Sequence, residues 1–113
     1  MATKNKNATR YYSDIQESRT AKNLGGQVQV SSGSGNFRKG DVFTERCLVD
    51  CKTSMKEVKS VSIKKEWLEK IREQCHGMRK QYPIIAFDFG DGDNYYIIDE
   101  KTMQKFIEFL DNE

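Results

Sequence analysis

The chain has no long apolar run, a single histidine, one tryptophan and only three cysteines among its 113 residues. No stretch approaches the roughly 18 to 20 apolar residues that a membrane span needs. The opening "MATKNKNATR" also lacks the apolar centre of a secretory signal. Three cysteines, an odd number without a leader, argue for a reducing cytoplasm over a disulfide framework. Zinc is set aside as well. Cys47 and Cys51 lie four apart on an apolar strand, hence about 13 Å apart along it, too far to share one ion. The neighbours Cys75 and His76 would point to different faces of a helix, so buried thiols are the better reading. With no internal repeat and no linker, the length suits one domain with a modest core.

What is abundant is charge, at 32% of residues against 36% hydrophobic. It is unevenly spread. Residues 1–40 carry seven Lys or Arg against two acids, a net +5, and residues 41–113 carry twelve against fifteen, a net −3. A basic first third on a nearly neutral body suits an anionic partner such as nucleic acid. Residues 1–12 read as a basic flexible arm and 13–113 as the single folded domain.

The capping box "SDIQ", with Ser13 as N-cap and Gln16 reaching back, predicts a first helix from there to about Asn23, stopped by Gly25–Gly26. "QVQV" alternates as a short strand, and "SSGSGNFRKG" is a loop. "DVFT" and "CLVDCK" read as paired strands turning at Glu45–Arg46, which sets Asp41 opposite Asp50. "SIKKEWLEKIREQC" is a helix capped by Ser62, with Ile63, Trp67, Leu68, Ile71 and Cys75 on one face, ending near Gly77. "PIIAFDF" and "NYYIID" are strands joined by "GDGD". A last helix carries Met103, Phe106, Ile107 and Leu110 as its stripe. The sequence therefore predicts an α/β fold with five strands and three helices.

One feature of this plan is chemically odd. Asp50 and Lys52, two apart on a strand, share a face, and the register brings Asp41 to it. Asp-x-Lys alone is a frequent tripeptide and reads as a surface ion pair. Two carboxylates and an ammonium at one sheet edge, however, suit a divalent metal with hard oxygen ligands such as Mg²⁺, with the lysine neutralising charge on a phosphate. Elsewhere the motifs weaken. "DFG" at Asp88–Gly90 matches a kinase tripeptide, but the chain lacks the rest of a kinase. "DGDN" lacks the glutamate that completes a calcium loop. Trp67 reads as core and His76 as solvated. Tyr11 and Tyr12 suit either base stacking or packing on the first helix.

"KGDVFTERCLVDCKTS", with "ESRTAKNLGGQVQVSSGSG" before it and "SIKKEWLEKI" after it, resembles the PD-(D/E)xK nuclease superfamily. Within that group it is most similar to the small Holliday-junction resolvases of archaea and related phage nucleases. The resemblance covers about residues 13 to 100. It implies a restriction-endonuclease-like core, a central mixed five-stranded sheet flanked by helices, a homodimer, Mg²⁺ or Mn²⁺ dependence, and hydrolysis of DNA phosphodiesters, most favourably at branched DNA. Nicks, flaps and ends are alternative substrates, and a catalytically idle DNA-binding module of the same fold is a further alternative. Carried over, Asp41 is the first motif acid, after Gly40 where some members have Pro. Asp50 stands in place of the more frequent Glu, and Lys52 is the motif lysine. The main-chain carbonyl of Cys51 would be a further metal ligand, and Glu17 matches an acid on the first helix that approaches the metal. A loop serine falls among Ser31, Ser32 and Ser34, with Ser32 preferred. Arg38 and Lys39, then Arg10, Arg19 and Lys22, are the expected DNA contacts. The implied location is the cytoplasm, or the host cytoplasm if the protein is phage-encoded. A dimer surface is expected from Ile85, Phe87 and Tyr95 to Ile97.

Overall fold

The computed structural model describes residues 2–30 and 40–113, with side chains from Thr9 onward. Helix α1 (Ala2–Leu24) leads into a five-stranded sheet in the order β1 (Gln27–Val28), β2 (Val42–Phe43), β3 (Cys47–Lys52), β4 (Tyr82–Phe87) and β5 (Tyr95–Ile98). Helix α2 (Lys65–Gly77) lies between β3 and β4, and α3 (Glu100–Asp111) follows β5. β3 and β4 are parallel and every other pair is antiparallel, so the sheet is mixed. The parallel pair requires a crossover, and α2 supplies it.

Period-two alternation sorts the apolar side chains of the central strands onto two covered faces. Val42, Val49 and Ala86 pack with Ala21 of α1. Leu48 and Ile85, each one position away, pack with Ile71 and Cys75 of α2, and Trp67 and Leu68 lean on the same cluster. Both faces of β3 and β4 are thereby filled, as expected for parallel strands at a sheet centre.

Several expectations need correction. α1 begins at Ala2, so the helix already includes residues 2–12, and Ser13 does not cap a helix start. No glycine or proline interrupts residues 2–24, so the backbone continues the helix without an apolar stripe to announce it. α2 starts later than Ser62, its N-cap residue is Lys64, and no side chain caps it. Ile63 is left exposed. Ile85, assigned above to a dimer surface, is fully buried under α2. No described helix is long and apolar enough to cross a membrane.

Candidate functional site

The β2–β3 register pairs Val42 with Val49 and Phe43 with Leu48, which carries Asp41 to the position across from Asp50. Gly40 makes this approach possible. It sits at φ +79°, and a Cβ there would meet Leu48 Cδ1 at 2.6 Å. Proline cannot adopt that φ, which accounts physically for glycine before the acid. The Asp41 backbone is then fixed on both sides: its N–H donates to Val49 O and its C=O accepts from Gln29 N–H, each at 2.8 Å.

The Asp41 carboxylate reaches over β3, where Oδ2 accepts the Cys51 N–H at 2.7 Å. On β3 itself, Lys52 Nζ lies 3.2 Å from Asp50 Oδ2 and 5.0 Å from the centre of the Trp67 ring. The sequence allows either a surface ion pair or pairing through a divalent metal at Asp50 and Lys52. In the folded chain they hold each other, both part-exposed, with the indole beneath the ammonium.

Glu17 of α1 joins them electrostatically. Burial, then the charges of Asp41 and Asp14, push its carboxyl up to about 7, with Arg10 opposing and Asp50 adding to the rise. Burial also pushes Asp41 up to about 6; the Cys51 N–H opposes this, and the neighbouring Asp50 adds to it. Acids that repel one another in a part-buried corner bind protons more readily folded than unfolded. Stability conferred by these raised groups is thus present at low pH and is lost as pH rises from about 4 to about 7. A melting-temperature series should fall across that window, and Glu17→Gln should flatten it.

The sulfur of Cys51 takes no part in this chemistry. Burial raises its thiol to about 12, and Sγ points to Thr20 Oγ1 at 3.8 Å. All three cysteines are free.

Two residues that the sequence treated as incidental hold the site together. Gln16 is buried, and its Nε2 donates to the Lys52 carbonyl at 2.8 Å, which ties α1 to the end of β3. Asp88 is also buried, and its carboxylate accepts from Arg19 Nη2 at 2.9 Å, Thr53 Oγ1 at 2.9 Å, Ser54 N–H at 3.2 Å and Gly90 N–H at 3.0 Å. Arg19 also donates to Asn94 Oδ1 at 2.8 Å. Arg19 is therefore an internal tie rather than an open DNA contact. Arg10 and Lys22 are exposed on α1. Ser31, Ser32, Ser34, Arg38 and Lys39 lie outside the described residues.

Among the described residues, no three His, Cys, Asp or Glu side chains are arranged to hold a metal ion. The oxygen donors that do converge are two carboxylates, Asp41 and Asp50, with Glu17 acting on them through its charge. That donor set fits Mg²⁺ or Mn²⁺, which bind through one or two carboxylates and keep several waters. It does not fit a closed three-acid cage. No protein-family model matches the chain, and neither a curated protein nor a solved structure is significantly similar to it.

Proposed function

We propose that this protein is a metal-dependent endodeoxyribonuclease of the PD-(D/E)xK kind, with a restriction-endonuclease-like core and four-way DNA junctions as its favoured substrate. The observation that carries the reading is Asp41 facing Asp50 across a strand pair while Lys52 stands beside Asp50 on the same strand. Two mutually repelling acids with oxygen-only donors favour a divalent cation. Asp41, Asp50 and the Cys51 carbonyl would hold Mg²⁺ or Mn²⁺, with Glu17 reaching it through water. When bound, the ion supplies an activated water and charge neutralisation at the phosphate.

The remaining roles belong to the chain. Lys52 offsets the charge that develops on the phosphate, and Trp67 and Asp50 fix where its ammonium sits. Glu17, half-buried beside Asp41, would hold and orient the water that it shares with the ion. Arg10 and Lys22 extend the contact along the backbone of the DNA. Three free thiols suit a reducing cytoplasm, or the host cytoplasm if the protein is phage-encoded.

Two opposed cuts in a junction require two sites, so a second copy of the chain is part of the proposal. α3 buries no residue of its own, and Phe106 and Phe109 are exposed beside the half-buried sheet residues Ile84 and Ile98. This apolar groove, about 900 Å³, is the surface assigned to the partner copy. Sedimentation should show about twice 13.1 kDa, and a strict monomer would remove the junction preference.

Cleavage should require Mg²⁺ or Mn²⁺ and stop with EDTA. Lys52→Ala should slow it at least about 10²-fold while leaving metal affinity nearly unchanged. A Lys52→Ala protein that cuts normally would remove the assignment. A catalytically idle DNA-binding module is the second reading. What favours it is the direct Asp50–Lys52 pair, which balances charge without a cation. Cleavage of nicks, flaps or ends by the same site is separated from junction resolution by substrate comparison alone.

A further inference from the structure

Lys52 and Trp67 stand between two clefts. On one side, Asp50, Glu66, Lys70 and Ile71 complete a space of about 380 Å³. On the other, Thr9, Ser13, Thr53, Ser54, Met55 and Val61 line one of about 340 Å³. The first holds Asp50 and Lys52 of the proposed site. The second shares Lys52 and Cys51 with that site but has a different chemistry, and the reaction leaves its other residues unused.

We propose that the second cleft receives one unpaired nucleobase of the bound DNA, adjacent to the phosphate under attack; this rests on the nuclease reading. Its volume is at the small end of ligand pockets, the scale of one planar group. One wall is the Trp67 indole, with Val61 and Met55 as further apolar lining. The polar lining is mostly hydroxyl: Thr53 Oγ1 donates to Asp88 and Thr9 Oγ1 to Met55 Sδ, so both face the cleft as acceptors, while Ser13 and Ser54 add hydroxyls that suit the mixed edge of a base. A phosphate is disfavoured. Lys52 is the only cation in the lining and is already paired with Asp50, while Asp88 adds a carboxylate.

The cleft is also preformed. Asp88 fixes Thr53 and Ser54 through its carboxylate, and Val58 N–H donates to Phe89 O at 2.8 Å. Gly90, at φ +80°, packs so closely on the Lys56 carbonyl that a Cβ could not be accommodated. A wall pinned at these points loses little freedom when it closes on a base. Because a base must leave its stack to enter, DNA with an unpaired or easily unstacked nucleotide beside the cut is favoured over continuous duplex.

Trp67 is the only tryptophan and borders both clefts, so its fluorescence reports DNA arriving at either, and abasic substitution isolates the contribution of a base in the second. The full chain in EDTA is titrated with a four-way junction, and with the same junction carrying an abasic site at each branch nucleotide in turn. The intact junction should quench Trp67. One abasic position should abolish the quench and weaken binding about ten-fold, the scale of losing a base–aromatic stack. Val61→Phe, which fills the cleft and leaves Glu17, Asp41 and Asp50 unaltered, should reproduce that loss on the intact junction. Quenching and affinity indifferent to every abasic position would overturn the inference, as would no quenching by any of the DNAs. Mg²⁺-dependent cutting without an abasic effect would sink the cleft alone, whereas an abasic effect without cutting would sink the nuclease reading and keep the cleft.

Discussion

Asp41→Asn and Asp50→Asn proteins should bind a four-way junction at least as tightly as the wild type and cut it about 10³-fold more slowly or not at all. Each substitution removes one of the two carboxylates that face each other across β2 and β3, and with it a charge that repels the DNA phosphate. Binding and chemistry should therefore separate. Neither change should unfold the chain. In Asp41→Asn the new amide oxygen can still accept the Cys51 N–H, and removing a carboxylate that its surroundings push up to about 6 should raise the melting temperature at pH 8. At position 50 the loss is a part-exposed ion pair, about 1 kcal/mol or less. Gel-shift and single-turnover cleavage on the same junction measure both halves, and two variants cutting at the wild-type rate would remove the site.

Asp88→Ala should be strongly destabilising, by about 3 to 5 kcal/mol. The carboxylate is the common acceptor for Arg19, Thr53, Ser54 and Gly90, and its removal leaves a guanidinium that is only 25% exposed with the neutral Asn94 amide in place of its counter-charge. Against a typical domain stability of about 5 to 15 kcal/mol, that is a large share. The melting temperature should drop by more than about 10 °C. The exposed pair Lys105–Glu108, 3.9 Å apart, makes the contrast. Glu108→Ala should change stability by no more than about 0.5 kcal/mol. Equal effects from the two variants would mean that the Asp88 network is not what joins α1 to the far end of the sheet.

The difference between these two pairs also marks what the sequence could reveal. Alternation in "CLVDCK" and the turn at Glu45–Arg46 sufficed to set Asp41 opposite Asp50, because register in a short antiparallel pair follows from side-chain period and loop length. The α2 stripe of Ile71 and Cys75 was legible for the same kind of reason. Asp88 was not. Its partner Arg19 is 69 residues away, and no local period distinguishes a buried aspartate from the exposed ones in "DFGDGD". Gln16 was misread because "SDIQ" fits a capping box, whereas α1 runs on to Ala2 and turns Gln16 inward onto Lys52 O. Ile85 looked available for a partner because strand alternation leaves one face open. Here α1 and α2 each cover a face of the central strands, so Ile85 and Ala86 are both buried.

Glu17, Asp41, Asp50 and Lys52 are proposed to cut DNA with a divalent cation. The most direct test is to incubate the wild-type chain with end-labelled four-way, flap, nicked and linear DNAs in Mg²⁺, with EDTA as the control. Paired, symmetric cuts near the branch of the four-way junction are expected, with slower cutting of the other DNAs and none in EDTA. Intact DNA of every form, in Mg²⁺ and again in Mn²⁺, would contradict it.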